Sequence, residues 1–165
     1  MQIETERFLL RPIVESDANA LFEVTSDSEV TRFMRFSKHE KVSDALDLIK
    51  DYHKNGDHAF SVIEKKSNEF VGVFCLKINQ DDQSDLVLSV YFGRKFWNKG
   101  INSELMKYFV ANCNKLFGNK SLSAYIVEAN QASCHVIEKS GFKLVKTMKF
   151  DGWDGTLLLY KLNLV

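Results

Sequence analysis

The chain has few of the residues that mark domain linkers or covalent cross-links. It contains one proline and three cysteines in 165 residues, and no low-complexity segment interrupts it. Cys75, Cys113 and Cys134 are odd in number, lie far apart and form no Cys-x-x-Cys pair. This argues against a disulfide framework or a zinc site and indicates reduced thiols. We therefore expect a single domain over residues 1–165, in a protein of the cytoplasm.

The chain also lacks an excess of either charge and lacks long apolar runs. Its 22 basic and 22 acidic residues cancel, whereas nucleic-acid and membrane-surface binding need a basic excess or patch. No apolar run approaches the ~18 residues of a membrane span, and residues 1–6 lack the basic start and apolar centre of a signal peptide. The four histidines do not have the spacing of metal ligands. Nucleic acid, membrane and metal are therefore not expected as partners.

The residues present are 45% hydrophobic, enough for a sizeable core, and they alternate between strand-like and helix-like patterns. Ser16 is placed to cap a first helix, and Ser37 with Glu40 has the spacing of a capping box before a second. The predicted order is β-α-α-β-β-β-α-β-α-β-β, with strands over residues 8–11, 59–64, 70–78, 86–92, 122–127, 142–150 and 156–162. Hairpins mixed with crossover helices indicate an α/β domain with a mixed sheet.

The segment most indicative of function is Phe-Trp-Asn-Lys-Gly-Ile-Asn-Ser-Glu, residues 96–104, between a predicted strand and a predicted helix. Gly100 lets successive backbone N–H groups point outward, and the start of a helix adds a partial positive charge. The segment is neither a Walker loop nor a dinucleotide fingerprint with three spaced glycines. It predicts a phosphate or pyrophosphate site, with the alternative that Gly100 is an ordinary loop glycine.

A second motif, Asn-x-x-Ser-x-x-x-x-Glu-Lys-x-Gly-Phe, occupies residues 130–142. With both motifs in this order, the chain resembles the GNAT acyl-CoA-dependent N-acetyltransferases. It is most similar to the branch of the ribosomal-protein N-terminal alanine and serine acetyltransferases. That branch opens with a segment like residues 4–11, has a Trp-Gly-Lys-Gly-Tyr-Ala-Thr-Glu loop at the position of residues 97–104, and carries an Asp before its last strand, here Asp154. The resemblance implies a mostly antiparallel central sheet with a splayed strand pair, flanked by about four helices.

The resemblance also implies a site for acetyl-CoA as co-substrate. The pantetheine arm would pair with the backbone edge of the strand before the loop, at Val90, Tyr91 and Phe92. The pyrophosphate would rest on the N–H groups of the loop, which consists of Asn98, Lys99, Gly100, Ile101, Asn102 and Ser103. Lys99 would add charge there and Ser103 a hydroxyl donor. Asn102 replaces the small residue usual in the family, and would either add a phosphate contact or push the loop outward. Asn130 and Ser133 would face the thioester.

By the same resemblance, Met34, Arg35 and Phe36 would line the entrance for the amine acceptor, and Trp153 and Asp154 would border it. The alternative for residues 34–36 is a loop held on the core by its two apolar side chains. For Asp154 the alternative is a hairpin residue that holds the turn.

Acyl transfer from a thioester to an amine needs a neutral amine, a stabilised oxyanion and a protonated or hydrogen-bonded leaving thiolate. Many members of the family have a tyrosine acid where this chain has Ile137. In the ribosomal-protein branch a serine at the position of Ser133 is a proposed substitute, so the resemblance makes Ser133 the candidate to hydrogen-bond the sulfur. The alternative is that Ser133 only satisfies local backbone donors. Val87 stands where related enzymes have a glutamate base. Asp85, two residues earlier, could act through a water, and its alternative is a solvated turn carboxylate in the polar run 81–85.

These observations predict an acetyl-CoA-dependent N-acetyltransferase that transfers the acetyl group directly to a primary amine, either a protein N-terminal α-amine or the amine of a small molecule. A peptide α-amine has a pKa near ~7.7–8.0 and a lysine amine near ~10.4. An α-amine therefore needs no dedicated strong base, and the absence of the strand glutamate favours an α-amine or a similarly weak amine. The alternative is a catalytically silent acyl-CoA-binding or regulatory module, because the strand glutamate and helix tyrosine are absent. A monomer or a homodimer is expected.

Overall fold

Eight strands and five α-helices are present in the computed structural model, which describes residues 1–149 and 155–164. The strands are β1 (Ile3–Glu4), β2 (Phe8–Pro12), β3 (His58–Glu64), β4 (Phe70–Ile78), β5 (Asp85–Phe92), β6 (Ser121–Val127), β7 (Lys143–Lys149) and β8 (Thr156–Asn163). The helices are α1 (Ala18–Thr25), α2 (Ser28–Thr31), α3 (Val42–Asn55), α4 (Ile101–Phe117) and α5 (Gln131–Lys139).

The strands form one sheet in the order β1-β2-β3-β4-β5-β6-β8-β7. Strands β5 and β6 run parallel, whereas β1–β2, β2–β3, β3–β4, β6–β8 and β7–β8 are antiparallel. The predicted mixed, mostly antiparallel sheet is confirmed. The short elements β1 and α2 were not predicted, and α2 makes the helices five where about four were expected.

The chain divides into two compact units, Met1–Lys77 with Ser89–Ile101 and Ile78–Leu88 with Asn102–Val165, so that β5 contributes residues to both. In the first unit, helices α1 to α3 and strands β3 and β4 share one cluster of buried apolar side chains. The residues of α3 form a helix because Ala45, Ile49 and Tyr52 recur at helical spacing and are all buried on one face. Gly56 ends the helix with a left-handed φ of 71°, as predicted from its position.

The two predicted caps at the starts of the first helices are wrong. Helix α3 begins at Val42, later than expected, because the carboxylate of Asp44 accepts the backbone N–H groups of Glu40 and Lys41 at 3.0 and 3.1 Å. Asp44 therefore has the capping role at the start of α3 that was expected of Ser37 and Glu40.

The second cap is replaced in the same way. Asp17, not Ser16, accepts the N–H of Val14 at 3.0 Å, and its carboxylate also binds both Nη atoms of Arg11 at 2.8 Å and the hydroxyl of Ser61 at 2.9 Å. Burial alone would raise the pKa of Asp17, but these hydrogen bonds outweigh it and lower the pKa below its ordinary value. The buried carboxylate is thus a fixed anchor between β2, β3 and the start of α1.

In the second unit, β6 pairs with β5 on one side and with β8 on the other. Helix α4 buries Leu105 and Phe109 and is followed by Gly118 at a φ of 70°, as predicted. The predicted strand 122–127, short helix from Asn130 and final pair of strands are present. None of the helices in residues 1–149 and 155–164 combines the length and apolarity needed to span a bilayer.

Candidate active site

The end of strand β5 is the first part of the candidate site. The parallel ladder with β6 covers the four residue pairs from Asp85↔Ser121 to Leu88↔Ala124. In the first unit, β4 comes so close to β5 that a Cβ on Gly72 would lie 2.2 Å from the main-chain oxygen of Tyr91, and the N–H of Gly93 donates to the oxygen of Val71 at 2.9 Å. Only glycine fits at position 72.

This close approach shows which of residues 90–92 can present main-chain groups to the pantetheine arm. Because the main-chain oxygen of Tyr91 faces β4 and successive residues of a strand direct their main-chain groups to opposite sides, those of Val90 and Phe92 face away from β4. The oxygen of Phe92 accepts the indole N–H of Trp97 at 2.9 Å, which agrees with that direction. Val90 and Phe92 are therefore better placed than Tyr91 to present backbone groups to a ligand.

The side chain of Tyr91 anchors the same strand end from within the first unit. Its hydroxyl lies 2.8 Å from the hydroxyl of Tyr52 on α3, and both side chains are buried. Burial raises the pKa of both tyrosines above the ordinary value, so both hydroxyls are neutral at pH 7. The pair is a structural link between α3 and β5, and sequence reasoning missed it because the two residues are 39 positions apart.

The expected acceptor loop lies beside Tyr91. The ring of Phe36 meets the ring of Tyr91 edge-on at a centroid distance of 5.5 Å, and Met34 packs with Phe36 against the apolar cluster of the first unit. Arg35 is exposed. The structure thus brings Phe36 next to the strand expected to hold the co-substrate, while the packing of Met34 and Phe36 also matches the alternative of a loop held on the core.

The loop before α4 forms the second part of the candidate site. Asn98 and Gly100 have left-handed φ values of 60° and 70°, residues 97–100 are exposed, and Ile101 is buried as the first residue of α4. Alternating left-handed residues turn successive N–H groups into a concave, anion-binding arrangement, and the 17-residue helix behind it adds positive potential. Lys99 Nζ lies 5.7 Å from the centroid of the Phe96 ring.

Two ion pairs of the first unit lie on the N-terminal side of this loop. Arg94 pairs with Asp27, and Lys95 pairs with Glu69 at 2.5 Å. At the loop itself, Arg7 Nη1 donates to the main-chain oxygen of Lys99 at 2.8 Å. Arg7 belongs to the segment that carried the family resemblance, but nothing in the sequence indicated that it contacts the loop.

The second unit continues the loop into the first turn of α4. Ser103 is exposed there, and Asn102 is half-buried. The side-chain oxygen of Asn102 is buried and accepts no hydrogen bond from the described residues. This unpartnered polar atom in the first turn is what a polar ligand or an ordered water would satisfy.

Asn130 and Ser133 lie together at the start of α5. Asn130 is the N-cap, and its side-chain oxygen accepts the backbone N–H of Ser133 at 3.4 Å, which confirms the predicted cap. Ser133 is half-buried, and its hydroxyl makes no hydrogen bond within residues 1–149 and 155–164. The role of this hydroxyl at the leaving sulfur stays a prediction. Ile137, one turn further, is buried in the core.

Asp85 is not the solvated turn carboxylate that was one expectation. It is fully buried, with one oxygen accepting from the Ser121 hydroxyl at 2.6 Å and the other from the Asn79 side chain at 2.9 Å. Its distant partner Ser121 could not be read from the polar run 81–85. The catalytic role of Asp85 stays a prediction, and its burial with both oxygens engaged disfavours it.

Trp153 and Asp154, the expected residues at the border of the acceptor site, lie outside the described residues. Within the described residues, no group of three or more His, Cys, Asp or Glu side chains is arranged to hold a metal ion. The left-handed turns at the exposed residues Asn98 and Gly100 and the helix that follows them fit a diphosphate group.

Comparison with known proteins agrees with these features. A family model described as the acetyltransferase (GNAT) domain matches residues 7–143. The uncharacterized N-acetyltransferase p20 of Bacillus licheniformis is 30% identical over 129 residues, covering 76% of this chain and 70% of that protein.

Two solved structures share the fold at lower identity. One is RimL, a ribosomal L7/L12 α-N-protein acetyltransferase in complex with coenzyme A, with a TM-score of 0.85 at 16% identity, covering 99% of this chain and 98% of that one. The other is spermidine N-acetyltransferase from Vibrio cholerae with CoA and spermine, with a TM-score of 0.82 at 13% identity and 96% of each chain covered. The chain belongs to the GNAT family of N-acetyltransferases, as its motifs predicted.

Proposed function

From its membership of the GNAT N-acetyltransferases, a family that uses acetyl-CoA, we propose that this enzyme transfers the acetyl group of acetyl-CoA directly to a primary amine. The observation that carries the proposal is the exposed loop of residues 97–100, where left-handed Asn98 and Gly100 turn the backbone just before α4. A second support is Phe36, which brings the expected acceptor loop against Tyr91 on β5.

In this proposal, the co-substrate is held mainly by main-chain groups. The N–H groups of residues 98–103 bind the diphosphate, with the Ser103 hydroxyl and the Lys99 ammonium adding donors. Val90 and Phe92 bind the pantetheine arm through the main-chain groups that face away from β4. Preformed backbone donors of this kind lose little conformational entropy on binding, which favours affinity.

The bound thioester supplies the activated acetyl group. A backbone N–H of Val90 or Phe92 stabilises the carbonyl oxygen as negative charge develops on it. The hydroxyl of Ser133, which makes no hydrogen bond within the described residues, hydrogen-bonds the leaving sulfur. Alignment of the two reactants provides the larger part of the rate, since well-oriented groups gain about 7–11 kcal/mol.

The candidate base Asp85 and the buried tyrosines of the described residues favour a weakly basic acceptor. Asp85 is buried and engaged, and the two tyrosine hydroxyls beside Phe36 are neutral with raised pKa values. An α-amine with a pKa near ~7.7–8.0 is partly neutral at pH 7, and a lysine ε-amine near ~10.4 is not. The named activities of the two solved relatives are one on a protein N-terminus and one on spermidine, which makes N-terminal peptides the first acceptors to try and spermidine the strongly basic comparison.

The test is amine-dependent release of the CoA thiol from acetyl-CoA, followed with a thiol-detecting reagent. We expect release with at least one N-terminal peptide or small amine. Ser133→Ala should lower kcat on the order of 10²-fold with little change in KM for acetyl-CoA. Ser140→Ala is the matched control, because this serine at the opposite end of α5 donates its hydroxyl to the main-chain oxygen of Val136 at 2.7 Å.

Two results would contradict the proposal in different ways. Tight CoA binding without thiol release for any amine would identify a catalytically silent CoA-binding module. Unchanged kcat in Ser133→Ala would leave the transfer reaction in place and remove Ser133 from it.

A further inference from the structure

Arg7 joins the N-terminal segment to the loop before α4. Its Nη1 donates to the main-chain oxygen of Lys99 at 2.8 Å, across 92 residues of sequence. The guanidinium also lies over the ring of Phe8 at 5.1 Å from the centroid, and Phe8 is fully buried. A cation stacked on a fixed aromatic ring has few alternative rotamers, so the exposed Arg7 side chain is held in place.

This contact fixes the direction of one peptide plane in the loop. The peptide bond between Lys99 and Gly100 is planar and trans, so its carbonyl and its N–H point in opposite directions. When Arg7 holds the oxygen of Lys99, the N–H of Gly100 is directed away from Arg7. The second guanidinium nitrogen lies 3.7 Å from the position that a Cβ on Gly100 would take, which shows how closely the side chain follows the loop.

We propose that Arg7 is a positioning residue for the diphosphate of coenzyme A: by holding the carbonyl of Lys99, it keeps the N–H of Gly100 turned toward the ligand. The inference rests on the proposed function, because it assumes that the loop binds coenzyme A. It assigns a physical role to the segment of residues 4–11, which the proposed function leaves without one.

Lys65 provides a matched control. Its ammonium donates to the main-chain oxygen of Thr5 at 2.7 Å and pairs with Glu4 at 3.0 Å. Lys65 is therefore another exposed cation that hydrogen-bonds a main-chain carbonyl. That carbonyl belongs to the N-terminal segment and not to the loop before α4.

The experiment measures the binding of three ligands by calorimetry: coenzyme A, dephospho-coenzyme A, which lacks the 3′-phosphate, and pantetheine, which lacks the diphosphate. Arg7→Ala should weaken both diphosphate ligands by the same factor, about fivefold to tenfold, and leave pantetheine unchanged. Arg7→Lys should recover part of the loss, because an ammonium can still donate one hydrogen bond to Lys99. Lys65→Ala should change each affinity by less than about twofold.

Turnover gives a second reading that a merely structural role would not produce. In Arg7→Ala, KM for acetyl-CoA should rise about as much as the dissociation constant, with kcat unchanged. Equal affinities of the wild type and Arg7→Ala for coenzyme A would overturn the positioning role and leave the proposed function standing. A larger loss for coenzyme A than for the dephospho form would also overturn it, because Arg7 would then be a ligand of the 3′-phosphate. Failure of the wild type to bind coenzyme A would instead overturn the proposed function.

Discussion

Gly100 and Gly118 form a matched pair of glycines that can test the loop quantitatively. Both have a φ of 70°, a conformation that costs an ordinary residue about 1–2 kcal/mol. A Cβ at Gly100 would meet Arg7 Nη2 at 3.7 Å, an ordinary contact, and a Cβ at Gly118 would meet nothing within 4 Å. Neither alanine variant adds a clash within the protein, so both should lose similar amounts of stability.

The two variants should differ in ligand binding. An alanine at position 100 disfavours the left-handed φ that turns the N–H groups we assign to the diphosphate, and we expect Gly100→Ala to bind coenzyme A at least about tenfold more weakly, which is about 1.4 kcal/mol. Gly118, at the far end of the same helix, should give less than about a twofold change. Urea unfolding measures the stabilities, which should be equal within about 0.5 kcal/mol, and calorimetry measures the affinities. Equal affinities in the two variants, with similar stabilities, would refute the assignment of the loop.

Two further predictions concern the packing behind the site. Tyr52→Phe and Tyr91→Phe should each destabilise the fold by about 1–3 kcal/mol, because each leaves the other buried hydroxyl unpaired. The double variant should lose less than the sum of the two single losses. Urea unfolding of the wild type and the three variants measures these losses, and additive losses would contradict a hydrogen bond between the two hydroxyls. His39 is buried beside the Thr25 hydroxyl, with 2.7 Å between Nδ1 and Oγ, and burial lowers its pKa below the ordinary value although Asp44 opposes the shift. The unfolded chain then binds more protons, so stability should be full above about pH 6.5 and fall as the pH drops below it. His39→Asn should reduce this pH dependence of the unfolding free energy without abolishing it, since burial also lowers the pKa of His58, and an identical pH profile in the variant would contradict the role of His39.

The elements that the sequence predicted well are those whose signals are local. The apolar spacing of Ala45, Ile49 and Tyr52, the turn between β3 and β4, and the cap at Asn130 each depend on residues a few positions apart. The left-handed turn at Gly100 before α4 belongs to this group as well, because a glycine before a helix has direct consequences for the backbone; its binding of a diphosphate stays a prediction.

The features that the sequence did not predict depend on partners far along the chain or on competition between nearby caps. Asp85 looked like part of a solvated turn because its neighbours are polar, and it is buried because Ser121 reaches it across 36 residues. Asp44 displaced Ser37 as the group that begins α3, since several side chains could have made that contact. The link from Arg7 to Lys99 has no signature in spacing at all.

The most direct test of the central claim is a titration of the ¹⁵N-labelled enzyme with coenzyme A, followed by the backbone amide resonances. We expect the largest shifts at the amides of residues 98–103, with Gly100 foremost, and no shift at Gly118 on the same helix. Saturable binding of coenzyme A that leaves the amides of residues 98–103 unshifted would contradict the claim that this loop holds the diphosphate.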